Sequence, residues 1–275
     1  MKKNDLIPRL DEFIIFLRRL EKADRTLSKY RSDVMKFIDF LDHDNDISKD
    51  DVIAFKKTLT DSDYEPSSIN SYIVAINKFL YWCGNKDMKV KQLKMQQKTS
   101  LDEVISPADY KRLLRFAKKL GHDDIYLIMK IIATTGIRIG ELKYFTVENI
   151  QTFYINVRNK GKDRIIILTQ ELARELRKYC REHHIKTGRL FNLSEVTIWR
   201  KMKSIAGSAK VNKRIVHAHS FRHLFAKEFM EEYNNPLDLA DILGHSRLET
   251  TRIYTRSTNE EKRKKLEKMR TKGNK

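Results

Sequence analysis

Two arginines stand at positions from which a guanidinium group could hold a phosphate. The first, Arg138, follows Gly136 in the run ATTGIRIGEL, residues 133–142, where the glycine is expected to end a strongly apolar helix. An arginine at such a corner projects from a rigid element. A surface ion pair with Glu141 would account for the same residues, so this run alone does not decide its function.

The second arginine, Arg222, lies in the run HSFRHLFA, residues 219–226. Ser220 is predicted to be the helix N-cap, which places Arg222 in the first helical turn. The positive end of the helix dipole disfavours a cation there unless an anion lies between them. A phosphate at this helix N-terminus would resolve the conflict, and Arg222 would contact two of its oxygens. His219 lies three residues earlier and is expected to reach the same group.

The histidines in this region could also be interpreted as metal ligands. His217, His219 and His223 follow a recognisable ligand spacing. Arg214 precedes them and Arg222 lies among them, however, and the charge of these two arginines opposes a bound cation. The sequence therefore favours no metal at this position.

A hydroxyl nucleophile comes near the end of the chain. Tyr254, in the run TTRIYT, follows His245 by nine residues, and His245 belongs to the run LGHS. The chain has 11 tyrosines, and by composition alone each is expected to be a packing residue. Only its position after Gly244, His245 and Ser246 distinguishes Tyr254 from the others.

Residues 1–86 predict a four-helix domain. Apolar residues recur at helical spacing, further helices are expected over about 49–59 and 67–82, and Pro66 followed by two serines marks the start of the last one. The residues that define the first two helices are Leu10, Phe13, Ile14 and Leu17, then Tyr30, Val34, Phe37, Ile38 and Leu41.

Residues 87–103 are polar and rich in lysine and glutamine, which is typical of a linker. A second domain is predicted over 104–256, beginning with the helix start signal of Ser106, Pro107 and Asp109. It combines helices with one β-hairpin. Helices are expected over 125–135, 169–183, 194–206, 220–233 and 236–242, and strands over 153–157 and 164–168 around a turn at 159–162.

The helix near 194–206 has two compatible interpretations. Its apolar residues Val196, Trp199 and Met202 are expected to face inward. Its basic residues, which would then face outward, are able to contact a DNA backbone. These residues are Arg200, Lys201 and Lys203.

The charge of the chain favours a polyanionic partner. Lysine and arginine total 56 against 37 acidic residues, a formal net charge of +19. Residues 1–100 hold 19 basic against 16 acidic residues, and residues 101–275 hold 37 against 21, so most of the surplus lies in the second part. Nucleic acid is the first candidate and an anionic membrane the second. No apolar run approaches the roughly 18 residues of a membrane span, so a soluble, cytoplasmic protein without membrane partners is expected.

The order of these motifs resembles the tyrosine recombinases, the family that includes the Xer proteins, lambda integrase and Cre. The Xer-like branch carries TG-[LI]-R-x-x-E-L, H-x-L-R-H-x-x-A, and L-G-H-S followed by T-T-x-x-Y. This chain matches them over residues 133–255, with Phe221 where leucine is usual. The N-terminal helices are similar to the family's SAM-like core-binding domain by pattern only.

The resemblance implies a role for each matching residue. Arg138 and Arg222 would bind the non-bridging oxygens of the scissile phosphate, and His219 and His245 would donate hydrogen bonds or assist proton transfer. Tyr254 would attack phosphorus and form a 3′-phosphotyrosyl intermediate, which conserves the phosphodiester energy for rejoining. This chemistry requires no metal, nucleotide or organic cofactor.

The family's general acid is a lysine on a β-hairpin, which here matches Lys160. The usual family turn reads G-K-G-x-K-x-R, whereas residues 159–164 read NKGKDR, with one residue fewer between the glycine and the next lysine. Lys162 is therefore the alternative general acid. Glu141 resembles the family's conserved acid, which is expected to orient neighbouring groups.

The predicted fold is mainly α with a small β-sheet (α+β): a four-helix core-binding domain and a tyrosine-recombinase catalytic domain. The resemblance implies double-stranded DNA as the partner, a dimer at each site and a tetramer in the synapse. Residues 257–275 predict a basic helix, which in similar recombinases docks on a neighbouring protomer. Two alternatives are a type IB topoisomerase-like nickase and a non-catalytic DNA-binding regulator derived from a recombinase.

Overall fold

The computed structural model describes residues 1–95, 104–159, 162–244 and 263. The chain forms two compact units, Met1–Gln97 and Lys98–Lys275. The described parts are mainly helical, with one two-stranded antiparallel sheet in the second unit. This architecture confirms the predicted fold class.

Over residues 1–95, which the structure describes, the first unit forms four α-helices around one apolar core. The residues predicted to face that core from the first two helices are buried, except Tyr30, which is partly buried and packs against it. Phe13 is fully buried and its ring lies 5.5 Å from that of Phe79 between centroids. The helices are α1 (Lys3–Arg19), α2 (Asp24–Phe40), α3 (Lys49–Thr60) and α4 (Pro66–Trp82).

The first part of the predicted linker packs against α4. The side-chain amide of Asn77 donates to the carbonyl of Val90 at 2.9 Å and accepts from its N–H at 3.0 Å. Asn70 pairs with the backbone of Leu93 in the same way, at 3.0 and 2.7 Å. Each asparagine thus replaces the hydrogen bonds that a neighbouring strand would supply. The compact unit consequently extends beyond residue 86.

The second unit combines helices with a β-hairpin. Ser106 accepts a hydrogen bond from the Asp109 N–H at 3.0 Å, as its predicted N-cap position requires. The strands pair from Tyr154 with Ile167 to Asn159 with Lys162. The elements are α5 (Pro107–Lys119), α6 (Asp123–Thr135), β1 (Tyr154–Asn159), β2 (Lys162–Ile167), α7 (Gln170–Glu182), α8 (Glu195–Ser208), α9 (Ala218–Tyr233) and α10 (Pro236–Leu243).

The predicted inward face of α8 is wrong at two of its three residues. Val196 and Trp199 are 61% and 52% exposed, and only Met202 of that set is buried. The buried face is formed by Ile198, Met202, Ile205 and Ala206. Helical spacing was compatible with both faces, and the larger aliphatic face was buried.

The buried helix α6 ends at Gly136 in the left-handed conformation, as the sequence predicts. Its φ is +64°, and an added Cβ would lie 2.5 Å from the Phe225 ring and 2.6 Å from Leu243. The end of α6 therefore approaches α9 and α10 closely enough to exclude any side chain. This contact brings the motif that contains Arg138 against the other two motifs.

We expect Gly136→Ala to destabilise the second unit by about 3 kcal/mol, because left-handed backbone strain and overpacking each cost about 1–2 kcal/mol or more. Gly121→Ala is the matched control, since Gly121 has φ +69° but no atom within 4 Å of an added Cβ. Urea unfolding gives the loss of unfolding free energy in each variant, and the difference between the two losses is the cost of overpacking at Gly136. Equal destabilisation in the two variants would contradict a close approach at Gly136.

Candidate active site

The helix that carries Arg222 begins two residues earlier than predicted. Its N-cap is His217, whose ring nitrogen Nδ1 accepts a hydrogen bond from the Ser220 N–H at 3.2 Å. Ser220 is therefore inside α9, and Arg222 lies in its second turn. The predicted first-turn position of Arg222, and the dipole conflict based on it, are wrong.

Arg222 points instead toward the carboxyl ends of two other helices. Its side chain is buried, at 1% exposure, and donates to the carbonyl of Gly136 at 2.5 Å and of Leu243 at 3.0 Å. Gly136 and Gly244 are the C-caps of α6 and α10. Helix carboxyl ends carry partial negative charge, so they stabilise a buried guanidinium group.

Arg138 converges on the same helix end from the surface. Its Nη1 lies 3.4 Å from the carbonyl oxygen of Leu243, and its Nη2 lies 3.3 Å from that of Gly244. The side chain is 44% exposed. The two arginines thus share the Leu243 carbonyl, one from the interior and one from solvent, although they are 84 positions apart in the sequence. The contacts of Arg138 are long and weak, so its side chain is able to turn toward a phosphate.

A third arginine, which received no role from the sequence, binds this helix end as well. Arg164 of β2 donates to the carbonyl of Ile242 and forms an ion pair with Glu141. The last carbonyls of α10 therefore accept hydrogen bonds from three arginines. The signal for Arg164 was present in the sequence, because it occupies the final arginine of the family's hairpin pattern.

Glu141 links the hairpin to the loop that carries Arg138. Its carboxylate is 2% exposed; Oε2 accepts from the Arg138 N–H at 2.7 Å and pairs with Arg164. Its Oε1 lies 3.6 Å from Arg138 Nη1, beyond hydrogen-bond distance. Of the two ion pairs that Glu141 makes, the expected one with Arg138 is thus the weaker. Glu141 orients its neighbours mainly through the backbone N–H of Arg138 and the side chain of Arg164.

His219 lies in the first turn of α9, edge-on to His223 with ring centroids 4.2 Å apart. Its pKa is below the ordinary histidine value because surrounding protein atoms desolvate the charged ring, and because Arg222, His217 and Arg138 add positive charge. The imidazole is therefore neutral near pH 7, and one ring nitrogen donates while the other accepts.

This lowered pKa predicts how acid affects folding. Below about pH 6.5 the unfolded chain binds a proton at His219 that the folded chain resists, so stability falls as the pH decreases. Urea midpoints at about pH 7.5 and about pH 5.5, on either side of that value, should differ less for His219→Gln than for the unsubstituted chain. An identical pH dependence in both proteins would contradict the assignment. His43, whose pKa is raised by a hydrogen bond to Asp51, has the opposite effect and is common to both.

The structure describes only some of the predicted site residues. Arg138 and Arg222 meet at the carbonyl of Leu243, and His219 lies close enough to both for their charge to lower its pKa. Lys160, His245 and Tyr254 fall outside the described residues, and Lys162 is described only as the first residue of β2. The predicted basic helix over 257–275 is likewise undescribed except at Arg263, which is helical and exposed.

Neither a metal cluster nor a membrane span is found in the described part of the chain. There, no three His, Cys, Asp or Glu side chains are grouped to hold a metal ion. Within the same ranges no helix has the length and apolar character needed to cross a bilayer.

Comparison with known families identifies both units. The phage integrase family model matches residues 103–261, and the model for the phage integrase N-terminal SAM-like domain matches residues 10–85. A tyrosine recombinase of Pseudothermotoga lettingae is 27% identical over 281 residues, covering 94% of this chain and 95% of that protein. Tyrosine recombinase XerA of Pyrococcus furiosus is 28% identical over 262 residues, covering 90% and 89%.

Solved structures share the fold. A crystal structure of XerA recombinase matches with a TM-score of 0.52 and 25% identity, covering 99% of each chain. A lambda integrase dimer bound to a COC′ core site matches with a TM-score of 0.75 and 16% identity, covering 92% of this chain and 77% of that one. The second match, at its low identity, is a likeness of fold alone.

The helical N-terminal unit, the α+β second unit and the arginines gathered at one helix end define a site-specific recombinase of the tyrosine type. Members of this class cleave and rejoin DNA through a covalent tyrosine intermediate. The chain belongs to the phage integrase family, whose models together match residues 10–85 and 103–261.

Proposed function

We propose that this chain binds a specific site in double-stranded DNA as a dimer, pairs two such sites in a tetramer, and exchanges strands through a Holliday junction. Residues 1–86 supply the helices of the core-binding module, 87–103 connect it to the second unit and pack on α4 in their first part, and 104–256 form the catalytic domain. The basic segment 257–275 docks on a neighbouring protomer. The concentration of positive charge after residue 100 supports DNA as the partner, since phosphate contacts supply most sequence-independent affinity.

Tyr254 is the nucleophile in this proposal. Its phenolic oxygen attacks the scissile phosphorus and gives up its proton to His219 or His245, the bond from phosphorus to the 5′-oxygen breaks, and a 3′-phosphotyrosyl ester forms. The released 5′-oxygen takes a proton from Lys160, or alternatively from Lys162. The incoming 5′-hydroxyl of the partner strand reverses these steps and displaces Tyr254, so the phosphodiester is restored without an external energy source.

Arg138 and Arg222 bind the non-bridging phosphate oxygens, and His219 and His245 supply further hydrogen bonds. The observation that carries this proposal is the meeting of Arg138 and Arg222 at the carbonyl of Leu243. Two guanidinium groups at one point match the charge that develops on a phosphoryl group in the transition state. Because Arg222 is 1% exposed, DNA binding must uncover one edge of its guanidinium group.

The choice between Lys160 and Lys162 has a direct test. A substrate with sulfur in place of the bridging 5′-oxygen needs no proton donor, because a thiolate is a far weaker base than an alkoxide and leaves without being protonated. Substituting the true acid by alanine should slow cleavage of the oxygen substrate by about 100-fold to 10,000-fold and leave the sulfur substrate nearly unaffected. The other lysine variant should show no such difference. If neither lysine variant cleaves the oxygen substrate more slowly than the sulfur substrate, neither hairpin lysine is the general acid.

The proposed function is tested on a site selected from a random-sequence duplex pool by binding to the full chain. Duplexes of that site, nicked at successive positions near its centre, trap any covalent intermediate, because the short fragment beyond the nick diffuses away. We expect a protein–DNA adduct, and exchange of flanks between two intact sites. Relaxation of supercoils without exchange would favour a topoisomerase, and selective binding without any adduct would favour a regulator; either result would overturn the proposal.

A further inference from the structure

Arg164 joins three parts of the second unit that are far apart in the sequence. It lies on β2 opposite Val157, and its side chain is 11% exposed. One end of its guanidinium group pairs with Glu141, and the other donates to the carbonyl of Ile242, 78 residues along the chain. The hairpin, the loop that carries Arg138 and the end of α10 are therefore held by one side chain.

The contact requires an arginine by its geometry. A guanidinium group is planar and directs separate N–H donors at two acceptors, whereas a lysine ammonium is a single point of charge. The aliphatic part of Arg164 also packs against Gly244, where an added Cβ would lie 2.6 Å from Arg164 Cδ. A glycine at that position thus gives Arg164 access to the carbonyl of Ile242. The contacts of Arg164 therefore depend on its charge, on its planar shape and on its close packing against Gly244.

The two partners of Arg164 are each adjacent to a phosphate-binding arginine. Glu141 accepts from the backbone N–H of Arg138 at 2.7 Å, so the ion pair connects the hairpin to the start of the phosphate-binding loop. Ile242 precedes Leu243, whose carbonyl binds both Arg138 and Arg222. Any shift of the hairpin relative to these arginines therefore has to break a contact of Arg164.

We propose that Arg164 is a positioning residue, which sets the distance between the hairpin and the two phosphate-binding arginines so that the hairpin lysine reaches the leaving 5′-oxygen. The inference rests on the proposed function, in which that lysine donates a proton. Arg164 itself touches no reacting atom. Its loss should consequently damage protonation of the leaving group more than phosphate binding or nucleophilic attack.

The experiment measures adduct formation by Arg164→Met on paired nicked substrates that differ only in the bridging 5′-atom. With oxygen at this position, we expect cleavage to fall by about 100-fold, the lower end of the contribution of general acid catalysis. With sulfur, which leaves without a proton, we expect a rate within a few-fold of the unsubstituted chain. Arg164→Lys can donate to one of the two acceptors. Its rate of cleavage of the oxygen substrate should therefore lie between those of the unsubstituted chain and Arg164→Met.

Two further variants separate positioning from folding. Arg164→Met leaves the buried Glu141 carboxylate without its main partner, so we expect it to lower stability. The double variant Glu141→Gln with Arg164→Met removes both charges and should recover the urea midpoint. It should keep the difference between oxygen and sulfur substrates. Arg158→Ala controls for the loss of a hairpin arginine, because Arg158 is 81% exposed and lies 3.5 Å from Asp163. Arg158→Ala should cleave the oxygen substrate and the sulfur substrate at the rates of the unsubstituted chain.

The outcomes distinguish the inference from the function on which it rests. If the unsubstituted chain forms no adduct on either substrate, both are overturned. If it forms the adduct while Arg164→Met and the double variant lose the same factor on both substrates, or lose nothing, the positioning role of Arg164 is wrong and the proposed function stands. A defect confined to the oxygen substrate in the folded variants supports the assignment.

Discussion

Arg222→Ala should reduce DNA cleavage by about 1,000-fold, the upper range for removing one preorganised donor from a developing negative charge. The reduction should be accompanied by a loss of stability of about 3 kcal/mol. Two buried carbonyls, those of Gly136 and Leu243, lose a charged donor, and such hydrogen bonds contribute about 1.5–3 kcal/mol each before relaxation. Site binding should change little, because it depends on many phosphate contacts.

Arg138→Ala is the matched comparison, because Arg138 approaches the same Leu243 carbonyl with a 44% exposed side chain and contacts of 3.3 and 3.4 Å. We expect a similar loss of cleavage with almost no change in the urea midpoint. The measurements are single-turnover cleavage of the nicked site, at protein concentrations that saturate it, and urea unfolding of each variant. Cleavage at the rate of the unsubstituted chain in folded Arg222→Ala would refute its role at the phosphate.

The helix ends that hold the arginines were largely predictable from local sequence. Glycine after an apolar helix predicts a left-handed C-cap, and Gly136 adopts one with φ +64°. Ser106 before a proline predicts the start of α5, which the hydrogen bond from Asp109 bears out. These features depend on residues within one turn, so a single stretch of sequence contains the physical cause.

The start of α9 was predicted incorrectly because its N-cap is an unusual residue. Serine is a common N-cap, which favoured Ser220, but the imidazole of His217 accepts the capping hydrogen bond instead. The N-cap lies three residues earlier than predicted, which places Arg222 in the second turn instead of the first. Its electrostatic partners consequently changed from an anion at its own helix N-terminus to the carboxyl ends of α6 and α10.

The role of Arg164 could not be derived from spacing alone. Its partners, Glu141 and the carbonyl of Ile242, lie 23 and 78 positions away, and one of them is a backbone atom without a residue-type signature. The packing of Val90 on α4 has a similar cause, since side-chain amides of that helix bind the backbone of a segment with polar composition. Contacts between side chains and distant backbone require the tertiary structure.

Tyr254 gives the proposed chemistry its covalent step, and Tyr254→Phe is the smallest change that removes it. The phenyl ring keeps the size of the side chain but has no hydroxyl oxygen to attack phosphorus. We therefore expect complete loss of cleavage with unchanged site binding. Tyr233→Phe is the control, because Tyr233 is another tyrosine of the second unit and is 66% exposed.

The most direct measurement is the fate of a labelled, nicked duplex of the selected site after denaturing electrophoresis, followed by peptide mapping of any DNA-linked product. The unsubstituted chain and Tyr233→Phe should form a covalent adduct whose phosphate is attached to Tyr254, and Tyr254→Phe should form none while binding the site normally. An adduct that persists in Tyr254→Phe, or one mapped to any of the other ten tyrosines in the chain, would show that Tyr254 is not the nucleophile.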